Sequence, residues 1–349
     1  MVSQEAASGI RGAAGPIGVL IANTGTPDAP AARAVRRYLR EFLSDPQVVD
    51  LPRPLWWPIL NLFILPFRPL RSARLYAKIW TQAGSPLLVT ARKQAAGLEA
   101  RLRGSLGRPV RVTVGMRYGR PALGEAIAEL LGAGCARILL MPLFPQYSGA
   151  TTGSVIAAVQ QEIAGLQSTI ELASVIHYHD EAAYIRALTH SVREVWNREG
   201  EPDRLLVSFH GLPERRAAAG DPYRAHCEET ARLLAAELEL SLDRWRIAYQ
   251  SRFGPGEWLK PYADQMLREW AAGGVGTVDV ICPGFSADCL ETLEEITIRH
   301  RAMFLRAGGR RFRYIPALND RADHVEALCG IALRRLRGWL TDRASTGGS

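Results

Sequence analysis

The sequence predicts an α/β protein made of two similar halves, each an open parallel sheet of about four strands flanked by helices. Three observations predict it. Short β-rich runs recur along the chain, and each breaks into a loop and then a helix-like stretch, the rhythm of a parallel sheet with helices on both faces. The loops rich in glycine and aromatic residues all follow strands, where open α/β sheets place their ligands. With 349 residues, 47% of them hydrophobic, the chain can bury two cores rather than one. The expected division is 17–170 and 171–340, with the last helix packing back on the first half and flexible ends at 1–16 and 341–349.

Residues 17–22 (IGVLIA) form the first buried run, and a loop is expected from Asn23 to Pro27. That loop holds one glycine, so it is no GxGxxG dinucleotide site. Residues 31–43 then alternate as a helix, with Val35, Leu39, Phe42 and Leu43 on one side and arginines opposite. The segment 52–71 is the most unusual. From Leu55 to Phe67 only Asn61 is strongly polar, and Arg68, Arg71, Arg74 and Lys78 follow. It is too short to span a bilayer and two prolines interrupt it. Two readings stay open: a buried packing segment, or an exposed lip with Trp56, Trp57, Phe63 and Phe67 facing a membrane interface and basic residues facing anionic headgroups. Strands follow at 110–114 (VRVTV) and 137–141 (RILLM), the second ending in Pro142 to Ser148, and Thr151 to Ser154 start another helix.

The rhythm resumes with 172–176 (LASVI). His177 and His179 come next; they share one parity on an extended chain, but no third ligand is evident, so no metal site is assigned there. The run 204–210 ends in His210-Gly211-Leu212-Pro213. An imidazole at the carboxyl edge of a parallel sheet is either a ligand-site residue or a strand cap. Strands at 246–249, 277–282 and 312–315 complete the half, and a helix covers 322–340. After the run 277–282, Asp288, Glu291 and Glu295 fall three and four apart. They form either a solvated acidic face or a hydrated path for a dication. Two open sheets facing each other would leave a cleft lined by Thr24, Tyr147, His210 and Glu291.

Lys plus Arg exceed Asp plus Glu by 43 to 35, a formal charge of +8. The excess is dispersed, which fits an anionic ligand or surface or ordinary solubility. Nucleic-acid signatures are absent, so nucleic acid is not expected as a partner. Five cysteines form no CxxC pair, and an odd number in this setting fits a reducing compartment. The first residues lack the apolar core of a signal peptide. A cytoplasmic location is therefore expected.

Taken together, NTGTP at Asn23, YAKIW at Tyr76, GSPLL at Gly84, MRYGRP at Met116 and PLFPQYS at Pro142 carry a resemblance. SFHGLP at Ser208, GDPY at Gly220, QSRFG at Gln250 and FSADCLETLEE at Phe285 continue it in order. From about Ile17 to Leu333 the sequence resembles the ferrochelatase family. The resemblance implies the chelatase fold, two Rossmann-like or flavodoxin-like domains around a porphyrin cleft. It implies a lyase that inserts ferrous iron into protoporphyrin IX, the last step of haem b formation. It places the catalytic and metal-contacting pair on His210 and Glu291, and an acidic, locally π-helical path on the segment from Asp288 to Glu295. Asn23, Thr24, Lys78, Tyr147 and Ser148 are expected near the macrocycle, and the lip is expected to touch an anionic membrane on the inner face of the cell membrane.

Two departures bear on the expectation. Some members carry a [2Fe–2S] cluster on cysteines grouped near the C-terminus; here only Cys329 lies there, so no cluster and no permanently bound cofactor is expected. Many members carry a third carboxylate eight residues after the key glutamate, where this chain has Arg299. Fe²⁺ is expected as substrate, and a monomer is favoured. The competing readings are coproporphyrin III as the substrate, or a porphyrin- or haem-binding carrier without chemistry.

Overall fold

The computed structural model describes residues 15–49, 51–166, 169–254 and 256–341, so nearly all of the expected flexible ends lies outside the described residues. Among the described residues, eight strands form two parallel sheets of four. In chain order the first sheet comprises β1 (Ile17–Thr26), β2 (Val110–Gly119), β3 (Arg137–Pro142) and β4 (Glu171–Ser174). The second comprises β5 (Arg204–His210), β6 (Trp245–Gln250), β7 (Thr277–Ile281) and β8 (Arg311–Ile315). Their spatial orders match, β2-β1-β3-β4 and β6-β5-β7-β8. The two-sheet architecture expected from the sequence is the architecture observed.

The helices are α1 (Ala32–Ser44), α2 (Arg53–Pro58), α3 (Leu65–Ile79), α4 (Pro86–Leu106), α5 (Leu123–Gly132), α6 (Ser154–Ala164) and α7 (Ala182–Glu199). The second half adds α8 (Glu214–Ala218), α9 (Tyr223–Glu237), α10 (Ala263–Ala272), α11 (Arg301–Arg306) and α12 (Ala322–Thr341). Three stretches of the described residues are π-helical: π1 (Ile59–Ile64), π2 (Gly149–Gly153) and π3 (Glu291–His300).

The central strands are apolar on both faces because helices cover both faces. Val19, Leu20 and Ile21 of β1 and Leu205, Leu206 and Val207 of β5 are all buried. One apolar cluster runs through both halves, from Ile17 and Val19 through Tyr178, Tyr184 and Val192 to Leu205 and Phe209. Helix α12 joins that cluster, packing against α4 and β3 and also against α7.

The first strand is longer than its sequence suggests. Asn23 to Thr26 stay paired, with Asn23 opposite Met116 and Gly25 opposite Tyr118, so the expected loop begins later. Gly25 has φ +113°, and a Cβ there would lie 1.8 Å from the Tyr118 carbonyl oxygen. Only glycine allows this approach.

Candidate active site

In both sheets the strand order reverses between the first and third strands of the half. Such a reversal opens a crevice at the carboxyl ends of the strands. The cleft lies at these two crevices. Its lining takes Asn23 and Thr24 from β1, Gln146 and Ser148 from the loop after β3, His210 from the end of β5, and Glu291 after β7. Helices α1 and α3 contribute Tyr38, Phe42, Arg68 and Tyr76 to the same lining.

His210 ends β5, and its Nδ1 lies 2.7 Å from the Gly211 carbonyl oxygen. A carbonyl only accepts, so Nδ1 carries the proton and Nε2 keeps its lone pair. The backbone around it is fixed: Tyr223 donates its hydroxyl to the His210 carbonyl at 3.0 Å, and Gly211 N–H donates to the Gln250 carbonyl. A Cβ on Gly211 would stand 2.8 Å from that carbonyl and 3.1 Å from the Trp258 ring.

Glu291 opens π3 and is the one acidic side chain among the described residues of the lining. Gln250 ties it to the histidine strand. Its Oε1 accepts from Ser208 of β5 at 2.7 Å, and its amide donates to the Glu291 carbonyl at 3.2 Å. Burial first, and the Glu291 charge second, push the Tyr38 phenol and the Cys289 thiol up. Burial and then Tyr38 push Tyr76 up. These neighbours therefore stay neutral, and the carboxylate meets no competing anion from them.

Several expected site residues lie elsewhere. Lys78 is outside the lining; its ammonium pairs at 3.1 Å with Glu294, which is fully buried on π3. Arg299 Nε reaches the other Glu294 oxygen at 2.6 Å, so it answers a carboxylate of the protein. Asp288 is held by Thr292, Tyr314 and Asn319 at 2.7–2.9 Å, which joins π3 to the segment after β8. Glu295 accepts from the backbone N–H of Ser251 at 3.0 Å and from its hydroxyl. Neither carboxylate faces the cleft, because nearby donors already claim them. Tyr147, expected in the lining, is also outside it. Its backbone N–H donates to His226.

Among the described residues of the lining the cations are Arg68, which the sequence placed with the basic residues facing headgroups, and Arg216, which it passed over along with Tyr38, Tyr76 and Gln250. Arg216 stands six residues after His210, a spacing that was available as a signal. Asp221 of the GDPY motif was also missed as a clip. It accepts from Ser148 Oγ at 2.8 Å and Gly149 N–H at 2.9 Å, joining the two halves beside the cleft.

The lip is helical through α2, π1 and the start of α3. Trp57, Phe63 and Phe67 are 66–70% exposed, with Leu55, Leu62 and Leu70 outward beside them. Trp56 instead turns inward and donates its indole N–H to the Leu43 carbonyl. No described helix is long and apolar enough to cross a membrane. Asp180 lies beside His177 and His179, with one possible ligand atom from each within 4.8 Å of the others. All five cysteines are buried and unpaired, and none belongs to a group of three or more possible ligands among the described residues.

Among solved structures, the fold is similar to SirB from Bacillus subtilis with Fe³⁺, with a TM-score of 0.54 at 10% identity, covering 95% of this chain and 98% of that one. That likeness concerns the fold alone. Paired four-stranded parallel sheets around a shared cleft define an α/β protein of the chelatase type. The ferrochelatase family model matches residues 16–336. The chain is 53% identical to the ferrochelatase of Nitrosococcus oceani over 323 residues, 93% of this chain and 88% of that protein. It is 50% identical to the ferrochelatase of Thioalkalivibrio sulfidiphilus with the same coverage. The chain belongs to the ferrochelatase family: it is a lyase that inserts iron into a porphyrin to form haem, and Fe²⁺ is its substrate.

Proposed function

We propose that the porphyrin is protoporphyrin IX and the product protohaem. The observation that carries this reading is the charge of the lining. Among its described residues the cations are Arg68 and Arg216, and the rest is mostly apolar or neutral. Protoporphyrin presents two propionates, which two guanidiniums match, and its vinyl edge suits an apolar wall. Coproporphyrin III would bring two further carboxylates for which the lining offers no cation.

Insertion removes two pyrrole protons as one dication enters, so the net charge in the cleft is unchanged. His210 Nε2, the nitrogen with the free lone pair, takes a pyrrole proton. Glu291 draws the metal ion and balances charge while the second pyrrole proton passes to water in the cleft. A cleft that fits a bent macrocycle better than a flat one exposes the nitrogen lone pairs and lowers the barrier by differential binding. Asn23, Thr24 and Ser148 border the macrocycle in this reading.

The protein acts as a monomer in the cytoplasm, resting by its lip on the inner face of the cell membrane. Three outward aromatic side chains and the exposed Arg53, Arg71 and Arg74 support that placement.

The test is an anaerobic panel of protoporphyrin and coproporphyrin III with Fe²⁺ and Zn²⁺, read as loss of free-base fluorescence. Protoporphyrin should turn over faster, and His210→Ala should lower kcat by roughly 10²–10⁴. A faster rate on coproporphyrin III would overturn the substrate assignment. Tight porphyrin binding with no insertion would favour a carrier, and equal rates for His210→Ala and wild type would remove the proton acceptor.

A further inference from the structure

We propose that His177, His179 and Asp180 form a second divalent-metal site, outside the porphyrin cleft and at the seam between the two halves. The three residues lie in the connection between β4 and α7, and none of them lines the cleft. Asp180 Oδ1 lies 3.7 Å from His179 Nδ1 and 4.0 Å from His177 Nδ1. Donors on one tetrahedral ion with bonds near 2.0–2.1 Å stand about 3.3 Å apart. The observed triangle is therefore wider than a loaded site by less than an ångström on those two edges. His177 and Asp180 are exposed, so side-chain rotation alone can close it.

The second observation is His179 itself. It is only 7% exposed, and its Nδ1 is buried with no hydrogen-bond partner among the described residues. A buried imidazole nitrogen left without a partner is costly unless something else uses its lone pair. That nitrogen is the one nearest the shared Asp180 oxygen, and a metal ion is an acceptor of lone pairs. The exposed flank, with His177 and Asp180, leaves a path for the ion and room for water on its remaining positions.

His226 completes the wall without being a ligand. Its ring stacks on His179 with centroids 3.8 Å apart and planes 8° from parallel. An ion lies near the plane of each imidazole that binds it, so two parallel rings at that spacing do not share one. His226 Nδ1 is already taken by the Tyr147 N–H at 3.2 Å. Thr230 donates to the His179 carbonyl at 2.9 Å and receives from the Gln146 amide at 2.9 Å. The site thus braces the loop that carries Gln146 and Ser148 into the cleft, and an ion there would stiffen that loop.

Two imidazoles and one carboxylate suit borderline first-row dications such as Zn²⁺, Co²⁺ or Fe²⁺, rather than Mg²⁺ or Ca²⁺, which prefer all-oxygen shells. The assignment is independent of the porphyrin reading, because binding is measured with metal alone.

The experiment titrates the metal-free full chain with Zn²⁺ and with Co²⁺, by calorimetry and by the visible absorption of bound Co²⁺, without porphyrin. Wild type and the cleft variant Glu291→Gln should share one binding event that His177→Ala and Asp180→Asn each weaken roughly tenfold or more. Both of those positions are exposed, so those variants fold whatever happens at the buried His179. His179→Gln, checked by circular dichroism, should abolish the event. An isotherm unchanged in His177→Ala and Asp180→Asn, or a site lost in Glu291→Gln and kept in them, overturns the proposal.

Discussion

The tautomer of His210 is set by one backbone oxygen. The Gly211 carbonyl takes the Nδ1 proton, and Gly211 can hold that position only because no Cβ intrudes on Gln250 and Trp258. Gly211→Ala should therefore cost about 1–3 kcal/mol in urea unfolding and lower kcat more than it changes porphyrin KM. A second histidine makes a pH prediction. His324 is fully buried on α12 and donates from Nδ1 to the Asn319 carbonyl. Burial pushes its pKa down from 6.5 to about 4. The folded state thus binds fewer protons than the unfolded state in that window, so the contribution is complete above pH 6.5 and is lost as pH falls towards 4. The loss is on the order of 3 kcal/mol at 1.4 kcal/mol per unit. Urea midpoints at pH 7 and pH 5 should differ in wild type, and the difference should shrink in His324→Gln.

At the scale of elements, π3 is held by charge on its hidden side and offers charge on its open side. Glu294 is buried between Lys78 and Arg299, while Glu291 faces the cleft. Removing one cation leaves a buried carboxylate with a single partner. Arg299→Leu should cost about 1–3 kcal/mol in urea unfolding, less than the roughly 3–5 kcal/mol of a fully broken buried pair, because Lys78 remains and Arg299 is half-exposed. The lip makes a separate prediction. Replacing Trp57, Phe63 and Phe67 by serine should reduce co-sedimentation with anionic vesicles and leave kcat on detergent-dispersed porphyrin nearly unchanged. Trp56 was expected on that surface and is packed inward, because its indole N–H finds a carbonyl on α1. Helical periodicity alone cannot separate the two tryptophans when the stretch changes from α to π within a few residues.

At the scale of the whole molecule, the cleft exists only while the two sheets are held together. Asp221 clips the second half to the loop after β3, and Gln94 of α4 donates to the carbonyls of Ser286 and Asn319. Asp221→Ala removes an acceptor shared by Ser148 and Gly149, and should raise porphyrin KM more than it lowers kcat. A porphyrin touching both halves stabilises only the assembled cleft. Free-base porphyrin at 100 times its Kd should add about 2.7 kcal/mol to unfolding, and near- and far-ultraviolet melts should shift together.

The sequence by itself determined the strands, their recurrence in two halves, and the places of His210 and Glu291 after two of those strands. Buried parallel strands are written as continuous apolar runs; His210 ends one such run and Glu291 follows another, but spacing left each open between a site role and a structural one, and the family resemblance singled them out. The tertiary structure alone decided which other side chains share their space. Lys78 and Arg299 were spoken for by Glu294, Asp288 by Tyr314 and Asn319, and Glu295 by Ser251, all through partners that local spacing does not reveal as such. Arg68 and Arg216 came to one cleft from opposite halves of the chain. A charge seeks the nearest compensating charge or donor, and which one is nearest is a property of packing between elements rather than of spacing within one.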